Sequence, residues 1–166
     1  MAGFRRQSRR HECAAQQRAH VSDMTRATEN ERTGARLITQ WARCWSSHDL
    51  RQMLDLFTDD IEYEDLALSH QIRGKQQLEA FFRSTLVTFP DFSMQVSNIV
   101  ANDSYAAGEW LMSGTFLGES FGDAPTGKGF QVPGCCVMQV QHGRIRRHRD
   151  YWNLLTFNRQ VGIPSS

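Results

Sequence analysis

What this chain has little of narrows the problem before any motif is read. No apolar run approaches the length that spans a bilayer, and nothing near Met1 resembles the apolar core of a signal peptide, so a cytoplasmic protein without membrane contact is expected. Cysteine is scarce: Cys13, Cys44, Cys135 and Cys136 show no metal-type spacing, and the adjacent pair Cys135 and Cys136 would face opposite sides of a strand. They read as reduced packing residues. The chain has no glycine-rich nucleotide loop, no metal-ligand cluster and no Ser/His/Asp nucleophile pattern, so neither cofactor nor metal is expected. Net charge is nearly absent as well, at +1 over 166 residues. The first 33 residues hold seven Arg against four acids, which leaves twelve basic residues and fourteen acids for the remainder. That remainder is mildly acidic and gives no support to a nucleic-acid partner.

With 40% hydrophobic residues, the length suits one domain with a real core and is too short for two. Residues 1–33, rich in Arg, Gln, Ser, Thr and Glu without a sustained apolar period, read as a disordered basic leader, and the domain is expected over residues 34–166. Leu37, Ile38, Trp41, Cys44 and Trp45 recur at helical spacing. Asp49 is placed to cap a shorter helix that buries Leu50, Met53, Leu54 and Phe57. Thr58, Asp59 and Asp60 then read as a turn, and Ile61 to Asp65 alternate as a strand, with Ile61, Tyr63 and Asp65 on one face. His70 falls in a loop, and a third helix is expected from about Lys75 to Val87. The rest reads as four antiparallel strands: one on Phe92, Met94 and Val96, then Tyr105–Phe116, Phe130–Val140 and Arg144–Trp152, with a terminal helix on Leu154, Leu155, Phe157 and Val161. Helices grouped ahead of a strand meander imply an α+β fold, a curved, mostly antiparallel sheet wrapped around a long N-terminal helix.

The last strand carries the functional lead. Strict alternation puts Ile145, Arg147, Arg149 and Tyr151 on one face and Arg146, His148, Asp150 and Trp152 on the other. An acid between an imidazole and an indole on a core-covering face is costly unless it has partners or takes up a proton. Asp65 is a second carboxylate expected to point inward. The bland readings are that Asp150 pairs with one of its Arg neighbours, that His148 is a hydrogen-bonded structural residue, that Asp65 caps a loop, and that the tryptophans fill the core.

The order of elements, the segments YED and GRIRRHRDYW…RQVG, and the PTG before Phe130 resemble the SnoaL-like polyketide cyclases, within the wider group of cone-shaped α+β rolls that includes ketosteroid isomerases, limonene epoxide hydrolases and nuclear-transport-factor-like proteins. The resemblance covers about residues 34–162. It implies a cofactor-independent enzyme of secondary metabolism, such as antibiotic biosynthesis, in which Asp150 is the acid/base of an intramolecular aldol ring closure on a polyketide or β-keto ester. The family's accompanying histidine aligns with Cys136, and His148 is the available substitute. The isomerase resemblance places its general base at Asp65 and sets Trp41 where those enzymes carry an oxyanion-hole tyrosine. An epoxide hydrolase would instead need an Asp–Arg–Asp network, for which Asp150, Arg146 and Asp65 are the candidates. A non-catalytic ligand-binding or dimerisation module is the alternative outside enzymology. Asp150, His148 and Asp65 are thus the catalytic candidates, with Trp41, Tyr63, Trp110, Cys136 and Trp152 around a small hydrophobic substrate. Pairing of two copies through the outer sheet face follows from the same resemblance. An open, mostly apolar cavity at Asp150 would favour catalysis; a filled cone, or an acid held by Arg, would favour a scaffold.

Overall fold

The computed structural model describes residues 32–102, 104–119 and 124–164. Residues 1–31, most of the expected leader, lie outside them.

Helix α1 spans residues 32–47. Its apolar stripe is the one expected, with Leu37, Ile38, Trp41, Cys44 and Trp45 all buried. Asp49 caps α2 (Leu50–Asp55) by accepting the Gln52 backbone N–H. This helix ends sooner than the apolar spacing implied: Phe57 opens strand β1 (Phe57–Asp65), and Thr58, Asp59 and Asp60 are strand rather than turn. The reason is tertiary. The β1 edge meets β6 in parallel with Phe57 opposite Ile145, so Phe57 buries its ring from a strand instead of a helix. A further strand, β2 (His70–Arg73), stands where a loop holding His70 was expected; it is short, with only Ile72 buried, and carries too little alternation to be read alone. Helix α3 (Gly74–Thr88) follows, then β3 (Ser93–Ala101), β4 (Tyr105–Thr115), β5 (Gly129–Gln141), β6 (Arg144–Trp152) and α4 (Leu154–Val161).

The six strands form one sheet in the order β2-β1-β6-β5-β4-β3. Every pairing is antiparallel except β1 with β6. The result is an α+β roll, a curved mixed sheet around the N-terminal helix. Parallel pairing of β1 and β6 matters for function because it sets Tyr63 opposite His148 and Asp65 opposite Asp150.

Two local features aim β6. His142 (φ 49°) and Gly143 (φ 74°) make the tight turn from β5, a left-handed pair whose twist suits a two-residue hairpin. The ladder then slips: Gln139 pairs with Arg147 but Val140 with Ile145, leaving Arg146 unopposed as a bulge. That extra residue overturns strict alternation at the start of the strand. Ile145 is buried with His148 and Asp150, and Arg146 turns to the outer face. Further along, Trp110 lies over Gly134, its cross-strand partner, where an added Cβ would fall 2.3 Å from the ring. Only a residue without a side chain leaves Trp110 that seat. The terminal helix is capped by Asn153 and buries Phe157 and Val161, while Leu155, expected in its stripe, is exposed.

Candidate active site

The sheet, α1, α3 and α4 enclose a cavity of about 360 Å³. Aromatic rings make most of its wall, including Trp41 and Trp45 from α1, Trp110 from β4 and Trp152 from β6. Of the eight residues singled out from the sequence, Asp150, Asp65, Trp41, Tyr63, Trp110 and Trp152 line it. His148 and Cys136 do not; both are fully buried behind the wall.

Asp150 is 5% exposed and is held at both oxygens. The Tyr63 hydroxyl donates to Oδ2, and His148 Nε2 lies 2.8 Å from Oδ1. The His148 ring is stacked flat on Tyr63, with centroids 4.5 Å apart and 4° between planes, and Trp41 meets it at 4.8 Å. These rings leave the imidazole no freedom to turn. Its other nitrogen, Nδ1, is buried with no hydrogen-bond partner. A bare lone pair there costs less than an unpaired N–H, so the tautomer with its N–H on Nε2, donated to Asp150, fits the site. Tyr63 is pushed far above the usual phenol range, first by burial and then by the charges of Asp150 and Asp65, so it remains an O–H donor.

Asp65 is the second buried acid, also 5% exposed. Its Oδ1 accepts from the backbone N–H groups of Ala67 and Leu68, so the loop-capping reading is right. The Trp152 indole N–H lies 3.1 Å from Oδ1 and 3.0 Å from Oδ2, which ties the end of β6 to the end of β1. Burial and the neighbouring Asp150 raise this carboxyl to about 6, and the bonds from Trp152, Leu68 and Ala67 only partly oppose them.

The basic residues of β6 belong to the other face. Arg146 pairs with Asp60 at 3.0 Å and Glu62 at 3.2 Å, and Arg149 with Glu64 at 2.7 Å. This overturns the expectation that Arg146 shares a face with Asp150, and with it an Asp–Arg–Asp network built on Arg146. It also removes the reading in which Asp150 is neutralised by a neighbouring Arg, since among the described residues its ion-pair partner is His148. Glu109 on β4, opposite Cys135, is exposed.

Cys136, opposite Asp150 on β5, is a thiol pushed up strongly by burial and then by the Asp150 charge. Its sulfur and ligand atoms of His148 and Asp150 all lie within 4.8 Å of one another, the group among the described residues that a metal ion would find. The raised thiol would first have to lose its proton. Sequence reasoning missed the contribution of α3 and α4 to the wall: Phe81, Thr85 and Asn158 also line the cavity. Apolar spacing in α3 gives no sign of this, because periodicity does not distinguish a filled interior from a lined one.

The fold and this acid-bearing aromatic cavity define an α+β roll of the kind that encloses a small ligand. A family model described as SnoaL-like polyketide cyclase matches residues 35–161, and the chain belongs to that family. Comparison with curated proteins finds no match. Among solved structures, the chain is similar to a candidate SnoaL-like polyketide cyclase from Jannaschia sp. CCS1, with TM-score 0.73 and 17% identity over 81% of this chain and 95% of that one. It is similar to IdmH, a candidate polyketide cyclase from Streptomyces antibioticus, with TM-score 0.68 and 23% identity over 78% and 98%. An epoxide hydrolase of M. tuberculosis gives TM-score 0.65 and 18% identity over 79% and 90%. At these identities the structural likenesses speak for the fold alone. No helix among the described residues is long and apolar enough to cross a membrane.

Proposed function

We propose that the protein is a cofactor-independent cyclase in which Asp150 is the acid/base for an intramolecular aldol closure of a polyketide or β-keto ester. One observation carries the reading: the Asp150 carboxylate stands on the wall of an open aromatic cavity, aligned by Tyr63 and His148 and unpaired with any Arg. Ring closure needs a base beside the acidic C–H and a donor for the developing enolate oxygen. Asp150 takes the proton, the enolate carbon bonds to an internal carbonyl carbon, and Asp150 returns the proton to the alkoxide so formed. Tyr63 and His148 act by positioning, since their bonds fix the carboxylate while its remaining lone pairs serve the substrate. Asn158, on the same wall, offers an amide N–H for the enolate oxygen.

A second reading, double-bond isomerisation with Asp65 as base, is favoured by that acid's place on the wall and its position near 6. Both readings share a homodimer formed through the outer sheet face, where Val137 and Tyr151 are exposed.

The deciding experiment is turnover of a set of polyketide and β-keto esters by wild type, Asp150→Asn and Asp65→Asn, with binding measured alongside. Loss of about 10²–10⁴-fold in kcat for Asp150→Asn with binding retained supports the cyclase. Equal turnover by Asp150→Asn and wild type rejects Asp150 as the acid/base, and a loss confined to Asp65→Asn supports the isomerase instead.

A further inference from the structure

The cavity's charges do not balance. Among the described residues its ionisable lining consists of Asp65, Asp150, Tyr63 and His70, with no Lys or Arg. The two acids are register partners on adjacent parallel strands, so both carboxylates leave the sheet at the same level. Cations are plentiful nearby and face away: Arg146 and Arg149 are committed to Asp60, Glu62 and Glu64 on the outer face. Among the described residues, Asp65 receives an indole N–H and two backbone N–H groups. Asp150 receives a phenol and an imidazole. None of the donors to Asp65 is able to carry a full positive charge, and of those to Asp150 only His148 is.

The walls answer in the same sense. Four indoles, Trp41, Trp45, Trp110 and Trp152, border the space that the two acids face. The electron-rich faces of tryptophan attract organic cations, most strongly where water is excluded. A neutral diketide or polyketide makes use of one acid for proton transfer and leaves the other an uncompensated charge, which is costly in a buried site.

We infer that the cavity selects a substrate bearing a positively charged amine, placed between Asp65 and the tryptophan walls with its reacting carbonyl arm toward Asp150. This deepens the cyclase reading and rests on it, since it takes the same cavity as the active site. Asp65 then serves as the specificity residue, neutralising the ammonium, while Asp150 handles the proton.

The test is equilibrium binding to the full-length protein of choline and of 3,3-dimethylbutan-1-ol, which has the same shape with carbon in place of the charged nitrogen. Calorimetric titration at pH 8 is expected to show choline binding about ten-fold tighter or more, the size of one desolvated cation–π and ion-pair contact. In Asp65→Asn, choline is expected to lose that advantage while the alcohol is unchanged; the asparagine oxygen still accepts the bonds that shape the loop. Equal or tighter binding of the alcohol by wild type overturns the inference without recourse to any variant. The two readings also fail separately. Absence of a cation preference leaves the Asp150→Asn turnover result standing, and unchanged turnover in Asp150→Asn leaves the binding preference measurable.

Discussion

Asp65 pays for its position, and the cost is measurable. The fold lifts this carboxyl from 3.8 to about 6, so the native protein holds the proton more tightly than the unfolded chain does. The sign follows directly: the contribution to stability is complete below about pH 4 and is lost as the pH rises through about 6, a change of about 3 kcal/mol. Asp65→Asn keeps an oxygen for Trp152, Ala67 and Leu68 and has no charge to bury. It should therefore be more stable than wild type at pH 8 and nearly equal at pH 4 in urea denaturation, while binding or turnover suffers. A variant less stable at pH 8 would mean that the ionised acid is better compensated than its neighbours indicate. Tyr63→Phe tests the other carboxylate. It retains the ring stacked on His148 but removes the donor to Asp150. The expected loss is mainly in kcat, with a changed pH–rate profile, whereas a merely structural role would leave both unmoved.

At the scale of single elements, β6 shows how much of the site was legible in the chain and where legibility stopped. From His148 to Trp152 the period-two pattern placed His148 and Asp150 inward, as found. Upstream the same rule failed, because a bulge depends on the partner strand and Arg146 carries no mark of being the extra residue. In β1, alternation found Tyr63 and Asp65, but that Tyr63 would hold Asp150 depends on parallel pairing across some 85 residues, which local pattern does not contain. Short β2 was missed for want of apolar content, and Phe57 was assigned to a helix because it continued that helix's spacing. Tertiary pairing overrode local signals in each case. The β4–β5 ladder supplies its own prediction. Gly134→Val should drive the Trp110 ring off its seat and into the cavity, costing stability and narrowing the space for ligand. Differential scanning calorimetry together with ligand titration would show both effects; a fully stable variant with unchanged binding would mean that the wall adapts.

For the molecule as a whole, the order of helices and strands was readable because caps, periods and turns agreed along most of the domain. Whether the interior would be filled or hollow was not, since the same aromatic residues serve either outcome. The sheet's two faces are now distinct in character: Arg–Glu pairs and exposed Val137 and Tyr151 outside, buried acids and indoles within. If two copies pair through the outer face, sedimentation should report twice the chain mass, and Val137→Glu with Tyr151→Glu should halve it while sparing the cavity. An unchanged mass in that double variant would place any interface elsewhere.

The indole bond between Trp152 and Asp65 has one more outcome. An emissive side chain sits against the very group whose ionisation changes near mild acidity, so the protein contains its own optical gauge. Its fluorescence should drift as that proton comes and goes, and should move again when a guest enters, giving a label-free signal for finding what the cavity accepts.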